Sequence, residues 1–506
     1  MSLLGIDIGT TGCKAAVFSE TGDQLAIAYQ EYDHQHPKTG WAELDPVDVW
    51  EKTKLVIKQI AQEKSIDEIK ALSVSSLGEA VVPVTKNREI LGHSILNYCQ
   101  RGQEYYEVLA NALSSEELYT VTGITLGTHF TWAKLMWTKD HHPDIYQKAD
   151  YFLPWTSFIS FMLGADPIVD YSLVNRTQLF DINRLAWSEQ LLEITDIDIN
   201  KLPIPVQAGR VIGEINKNLA EELGLPSGLP IIIGTHDQCA NAVGCGVIQS
   251  GQAMLGLGTF TCATPVFDNK FDTGWMISKG LNTEHHAIPG QYVSFIYNQG
   301  GSVVKWYRDT FAHHEHQLAS ENGLDIYQKL FAEMPKQPSN QMVLPYLSTT
   351  GLPDFSAQTS GVLTGFRLTT NRGEILKGII EGIMLDLKVT IDFLADADFN
   401  IKEFVTVGGG SRSNAWLQVC ADILGRKMVR PKVIESGTLG SAIIAGIGSG
   451  IFPNYEYAIN AMVKMDETFM PDNENYLKYQ ERASLFVELR EILKDYLKKL
   501  ATTQED

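Results

Sequence analysis

The chain has 506 residues, room at roughly 150 residues per domain for about three compact units or two large ones. Hydrophobic residues make up 44% and charged residues 20%, ordinary globular usage that excludes a disordered, collagen-like or fibrous chain. With 41 Lys and Arg against 61 Asp and Glu, the formal net charge of −20 repels nucleic acid and anionic membrane, so local groups must meet any polyanionic ligand.

From the start, Met1 to Ile8 has no basic segment and reaches Asp7 after a few apolar residues, which does not read as a secretory signal; a cytoplasmic protein is expected. Strand-like runs alternate with helical ones: Leu3 to Ile8, Ala15 to Phe18, a helix over Trp50 to Glu63, then Ala71 to Ser75 and Val81 to Val84. This mixture of periods predicts an α/β fold. Two later strands, Ile231 to Gly234 and Phe404 to Val407, run into glycine and a polar turn, as ligand-binding strand ends do. The longest largely apolar run, Leu439 to Phe452, is too short and glycine-rich to span a bilayer. From Leu485 through Leu489, Ile492, Leu493, Tyr496 and Leu497 to Leu500, helical apolar spacing predicts a terminal helix packed on the body.

An internal repeat organises these elements. Gly9-Thr10, Cys13 and Val17-Phe18 recur 249 residues later as Gly258-Thr259, Cys262 and Val266-Phe267, five identities in one register. Each copy reads as apolar strand, Gly-Thr turn and returning strand, which predicts two similar α/β domains joined near residue 246. Asp7 faces Gly256 across the copies. Two loops gripping one phosphate chain, with a metal beside the copy that keeps its carboxylate, would account for that difference.

Three motifs carry the chemistry. Asp7-Ile8-Gly9-Thr10-Thr11-Gly12-Cys13-Lys14 combines glycines that let amides approach an anion, hydroxyl donors and a cation. It matches neither the P-loop pattern nor the dinucleotide fingerprint. Gly234-Thr235-His236-Asp237-Gln238 puts an acid at a strand's end, placed either to take a proton from a substrate hydroxyl or to cap the next helix. Gly408-Gly409-Gly410-Ser411-Arg412-Ser413-Asn414 omits side chains where a flat ring could lie against the backbone, which suits a nucleoside, before a helix ending at Gly425. His285-His286 and His313-His314-x-His316 lack a carboxylate or cysteine frame and are expected at the surface. The six cysteines, Cys13, Cys99, Cys239, Cys245, Cys262 and Cys420, form no Cys-x-x-Cys pair and read as reduced thiols.

Together, in this order and over about residues 3 to 470, the motifs resemble the FGGY carbohydrate kinases, which phosphorylate sugars, sugar acids and polyols with ATP. The resemblance implies the actin, hexokinase and heat-shock ATPase architecture: two ribonuclease-H-like domains with a nucleotide cleft between them. Residues 1–246 would hold the sugar site and catalytic Asp, and residues 247–506 the adenosine site and C-terminal helix. It further implies ATP and Mg²⁺ as cofactors, Asp237 as catalytic base, and Asp7 with Asp237 near the metal. Thr10, Thr11 and Thr259 would lie near the ATP phosphates, with Gly9, Lys14, Gly258 and Gly301 also binding nucleotide, and Gly408, Gly409 and Asn414 would meet the adenosine. Glu79, Asn97 and Arg101, with Asp237 and Gln238, would line the acceptor site. The stretch Gly361 to Glu381 resembles the downstream family signature, with Phe366 and Gly378 departing from it.

Segments Pro143 to Trp187 and Gly300 to Tyr327 look most similar to the gluconate kinases, which makes gluconate the first expected acceptor and xylulose or another ketose or polyol the alternative. Sugar-contacting motifs depart from both: Leu77-Gly78-Glu79 replaces a Met-His pair, and Asn97-Tyr98-Cys99-Gln100-Arg101 keeps only the arginine of Trp-x-Asp-x-Arg. The partners implied are a small sugar or sugar acid and ATP/ADP, without nucleic acid or membrane; a homodimer is compatible with them. Two other classes use the same architecture, a chaperone-type ATPase and a non-catalytic sugar sensor. Two domains of about 250 residues leave no sequence for a peptide-binding unit, and the retained Asp7 and Asp237 speak against lost catalysis.

Overall fold

A computed structural model describes residues 1–63, 67–354, 356–397 and 399–503. Strand β1 (Ser2–Ile8) turns at Gly9 and returns as β2 (Gly12–Ser19), with β3 (Gln24–Glu31) antiparallel beyond it. On the other side of β1 lie β4 (Ile69–Ser76), parallel, then β5 (Val211–Glu214) and β6 (Pro230–Ile232), in the order β5-β6-β4-β1-β2-β3. Leu3, Leu4, Ile6 and Ile8 are all fully buried, the near-continuous apolar run that a centrally placed strand with both faces covered requires.

The second sheet repeats this plan. Strands β7 (Gln252–Leu257) and β8 (Phe260–Phe267) form its hairpin, β9 (Ile296–Gln299) pairs with β8, and β10 (Glu403–Val407) lies parallel to β7. Then come β11 (Lys427–Pro431), parallel, and β12 (Met465–Phe469), antiparallel, while short strands Glu284–His285 and Tyr292–Val293 extend the sheet at β8. Pairing sense therefore matches across the two sheets, and strand order matches except at the antiparallel outer edge, where β5 precedes β6 in the chain but β12 follows β11. The residue register differs: Ile8 pairs with Cys13, whereas Leu257 pairs with Thr261, because the second turn is one residue tighter. The aligned cysteines consequently occupy different places in their hairpins.

Helix α1 (Pro46–Ala61) packs on β2 and β3 through Val49, Thr53, Val56, Ile57 and Ile60. It begins four residues before the expected Trp50, because the Asp45 side chain accepts the Val47 N–H and Pro46 suits the first turn. The apolar run near Leu439 is α6 (Ser436–Gly448), which lies in the second half of the chain yet covers β1 and β4 of the first sheet and crosses α2 (Asp237–Gly244). At this crossing main chain touches main chain. A Cβ added to Gly440 would lie 1.9 Å from the Ala240 carbonyl oxygen, and one added to Gly244 would lie 1.8 Å from that of Ser436.

Helix α3 (Gly301–Phe311) flanks the second sheet, and α4 (Arg372–Asp396), buried along most of its length, forms that half's core with α5 (Asn414–Leu424) and α7 (Asn473–Thr502). Of the expected terminal stripe Leu497 is buried and Leu489, Leu493 and Leu500 are half-buried, while Leu485, Ile492 and Tyr496 face solvent; the helix packs instead through Phe486 and Arg490. Tyr479 of α7 donates to Glu381 of α4 at 2.7 Å and anchors the helix. Among the described residues no helix is long and apolar enough to cross a membrane, and all six cysteines are free and buried.

Candidate active site

Asp237 is the first residue of α2, immediately after β6, in the crevice where the two halves meet. His236 takes the N-cap position without a capping side-chain bond, so Asp237 is not the cap. Its turn is held from beneath: Asp170 Oδ2 accepts from Ser172 Oγ at 2.6 Å and from Thr235 Oγ1 at 3.1 Å, and the His236 N–H donates to Ser172 Oγ at 2.9 Å. Burial pushes the Asp237 carboxyl up to about 7, the charge of nearby Asp7 adding to the shift against Gln238 and Arg176. One carboxylate oxygen, Oδ1, is buried without a hydrogen-bond partner, with His236 Nε2 3.3 Å away. Burial, with Arg176 nearby, holds His236 well below the usual histidine range, hence neutral. Gln238 follows Asp237 on α2, half-buried.

Asp7, near the end of β1, accepts from Ser75 Oγ of β4 at 2.6 Å. Burial raises its carboxyl, opposed by Ser75 and Lys14. The adjoining turn closes through the Gly9 N–H to the Gly12 carbonyl at 2.9 Å, and its Gly9 and Thr10 carbonyls are tied to Tyr32 at 2.6 Å and His34 at 2.8 Å. Thr11 is exposed at the tip. Lys14 is paired with Glu435, which precedes α6, so its charge is already engaged from the opposite half.

The acceptor-side residues divide. Glu79 is buried, at a left-handed φ of 63°, and accepts from Asn97 Nδ2 at 3.2 Å. It is also paired with Arg176, whose other terminal nitrogen binds both oxygens of Glu284 at 2.8 and 3.0 Å. Arg101, in contrast, is committed to the scaffold: it pairs with Glu43 at 2.8 Å, donates to the Ala42 carbonyl at 3.2 Å and lies against Trp41 and Trp137. Arg176, Glu284, Phe295 and Tyr297 were absent from the expected set. The guanidinium of Arg176 lies over Phe295, and the field of Asp237 reaches both Arg176 and Tyr297. The segment containing Arg176 showed only whole-segment similarity, and its glutamate partner lies 108 residues on.

A cavity of about 1470 Å³ opens along the second half, lined by Gly258, Thr259, Gly301, Gly409 and Asn414 of the expected set and by Trp306, Tyr327, Phe331 and Trp416. The Gly301 and Ser302 N–H groups donate to the Gly258 and Thr259 carbonyls at 2.8 and 3.0 Å, binding the start of α3 to the hairpin. Gly408 adopts φ 84°, which lets β10 break into the Gly409–Arg412 turn at the cavity floor. A Cβ at Gly409 would meet nothing within 4 Å. Asn414 accepts from Arg430 Nη1 at 2.8 Å. The paired histidines correct the surface expectation: His285 and His286 are buried, their ring nitrogens near the Ile182 and Val247 carbonyls at 3.3 and 3.4 Å, and burial lowers both to about 4. His313 and His314 are exposed.

Twin sheets of one plan, closing on a carboxylate crevice beside a long cavity, define a two-lobed phosphotransferase scaffold. The chain belongs to the FGGY family of carbohydrate kinases: the family's N-terminal domain model matches residues 2–244 and its C-terminal domain model residues 280–449. It is 26% identical to the gluconokinase of Bacillus licheniformis over 507 residues, covering 99% of this chain and 98% of that one. It is equally 26% identical to a xylulose kinase of Staphylococcus epidermidis (96% and 95% covered), and 27% identical to the autoinducer-2 kinase of Salmonella choleraesuis (95% and 92%). Among solved structures, a ligand-bound xylulose kinase from Lactobacillus acidophilus superposes with a TM-score of 0.87 at 24% identity, covering 99% of both chains. The ADP-bound glycerol kinase of Plasmodium falciparum gives 0.84 at 20%, covering 96% and 97%. The protein is a carbohydrate kinase, transferring phosphoryl to an alcohol group of a sugar-like acceptor.

Proposed function

We propose that this kinase transfers the γ-phosphoryl group of ATP to a hydroxyl of a sugar or polyol, with Asp237 as general base. The observation that carries the reading is the unpartnered, buried Asp237 Oδ1 at the start of α2, between Asp7 and Arg176. As the acceptor oxygen bonds to phosphorus and the bond to the β-phosphate oxygen breaks, the hydroxyl proton passes to Asp237 and ADP leaves. Such a transition state is loose, so alignment and fixed donors supply most of the acceleration. The Gly9–Gly12 turn and the Gly258-Thr259 turn supply exposed backbone and hydroxyl groups for the phosphates, one from each half. The large cavity, with Trp306, Tyr327 and Phe331 in its lining and a bare Gly409, suits a purine nucleoside.

Magnesium takes one or two carboxylates together with substrate phosphates. Asp7 and Asp237 supply that number, and among the described residues no group of three or more His, Cys, Asp or Glu forms an all-protein cage. Bound there, the ion would neutralise developing phosphate charge; Asp7 and Asp237 are the residues that would hold it. Buried free thiols fit a cytoplasmic enzyme.

Segment similarity favours gluconate, yet relatives at the same 26% identity carry both gluconate and xylulose names, so the pocket itself must decide the acceptor. The test of the kinase reading is ADP release from ATP with gluconate, D-xylulose, L-ribulose, glycerol and no acceptor. Acceptor-dependent release abolished in Asp237→Asn supports it. Release independent of every acceptor would instead fit a bare ATPase or a sensor.

A further inference from the structure

The segment that follows β3 draws all three carbonyls of Gly9-Thr10-Thr11 to one side. The Tyr32 hydroxyl donates to the Gly9 carbonyl at 2.6 Å, the Tyr32 N–H to that of Thr11 at 3.1 Å, and His34 Nε2 to that of Thr10 at 2.8 Å. In a trans peptide the carbonyl of one residue and the N–H of the next point in opposite directions. The Thr10 and Thr11 N–H groups are therefore turned away from this segment, and among the described residues neither donates to another group. Two successive N–H groups left open on one side form the kind of concavity that receives an anion.

The middle bond of the three depends on the state of an imidazole. A carbonyl only accepts, so His34 Nε2 must carry the hydrogen, which leaves Nδ1 of the neutral ring as an acceptor. Nδ1 lies 2.5 Å from the Tyr98 hydroxyl. Donation from Tyr98 to Nδ1 holds the ring in that tautomer and orientation, whereas the other tautomer would set a lone pair against the Thr10 carbonyl. Tyr98 belongs to the loop that departs from the family motif, and this loop is tied to the same segment by the Gln100 N–H, which donates to the Gly40 carbonyl at 2.8 Å. On its other side the Tyr98 N–H donates to Asn97 Oδ1 at 2.9 Å, and Asn97 Nδ2 donates to Glu79 at 3.2 Å. A continuous line of hydrogen bonds thus runs from the acceptor-side carboxylate to the phosphate turn.

Resting on the kinase reading above, we infer that His34 is a positioning residue for phosphate recognition and that Tyr98 acts through it by fixing its tautomer. Together they keep the Thr10 and Thr11 amides aimed before ATP arrives, and donors set in advance need no reorganisation as charge develops on the phosphoryl oxygens.

The test measures binding of the non-hydrolysable ATP analogue AMP-PNP, with Mg²⁺, by titration calorimetry; adenosine, which has no phosphates, is the control ligand. Glutamine at position 34 places its amide N–H near the site of Nε2, whereas asparagine ends near that of Nδ1, short of the Thr10 carbonyl. His34→Asn should weaken AMP-PNP by about tenfold, the effect of one good hydrogen bond, and His34→Gln by less than about threefold, with adenosine unchanged within about twofold in both. Tyr98→Phe should weaken AMP-PNP by about threefold or more by itself and add nothing to His34→Asn, because it acts only through the imidazole. Tyr98 is exposed, so its variant serves if a position-34 variant fails to melt cooperatively. Glutamine no better than asparagine, adenosine weakened as much as AMP-PNP, unchanged AMP-PNP affinity in Tyr98→Phe, or a fully additive double variant overturns the inference. Binding is read without turnover, so absence of acceptor-dependent ADP release by the wild type overturns the kinase reading separately.

Discussion

Exchanging Asp237 for asparagine should move activity and stability in opposite directions. The isosteric amide cannot accept the hydroxyl proton, and loss of general-base catalysis lowers kcat by about 10²- to 10⁴-fold, or about 3–5 kcal/mol. Stability follows from the carboxyl's displacement from its ordinary 3.8 to about 7, caused first by burial and then by Asp7. The folded state thus disfavours the ionised form: the penalty is absent below pH 4, grows between pH 4 and 7, and is full above 7. At 1.36 kcal/mol per pH unit the ceiling is about 4 kcal/mol, and because a quarter of the side chain is open to solvent (25%), about 2 kcal/mol is the working figure. The asparagine variant never pays it. Thermal melts of ligand-free protein at pH 4 and pH 8 should show the variant a few degrees more stable at pH 8 and no better at pH 4. Turnover within threefold of wild type would falsify the base assignment; a variant that melts lower at both pH values would refute the burial argument.

Gly409→Val should raise the KM for ATP by tenfold or more with an unchanged melting temperature, since the new side chain enters open cavity rather than packed protein; acceptor KM is the control. Gly440→Ala should lower stability by about 1–3 kcal/mol or more, read by denaturant titration, because its methyl meets the Ala240 carbonyl at 1.9 Å. Arg101→Met leaves the half-buried Glu43 carboxylate with His93 alone and should destabilise the protein by about 1–3 kcal/mol while changing acceptor KM less than tenfold. A large KM change with little loss of stability would return Arg101 to the acceptor pocket. The kcat/KM profile of the wild type should fall on the acid side of about pH 7, where Asp237 takes up a proton, and the residual activity of Asp7→Asn should show that fall at lower pH, because a like charge has been removed.

Local patterns in the sequence were sufficient for the parts of the fold that are local. The Gly-Thr turns, the strand ends before Gly234 and Gly408 and the helix closing at Gly425 all follow from short-range chemistry, and each stands where it was expected. What escaped depends on distant partners. Arg176 follows a five-residue helix and belongs to no motif; its importance arises from Glu79 behind it and Glu284 ahead of it in the chain. Arg101 matched a family position, but Glu43, 58 residues upstream, takes its guanidinium. His285 and His286 look like surface residues from composition alone, whereas a short strand draws His285 beneath Tyr171 and Phe180 and His286 is buried beside the Val247 carbonyl. The repeat was legible as strand order, yet the one-residue difference between the turns is a property of pairing that identity in sequence conceals.

The crossing of α2 and α6 bears on how the lobes move. At this joint backbone meets backbone at Gly244 and Gly440, while Val243 and Leu439 share one core and Ser436 Oγ donates to Asn241 Oδ1 at 2.8 Å. Packed helices accommodate domain motion by small sliding, and a joint this close keeps the axle in one position. Since the base sits on the first turn of one of these helices, any roll about the joint carries Asp237 directly, and a single methyl wedged there would act as a brake on turnover as well as a blemish in packing.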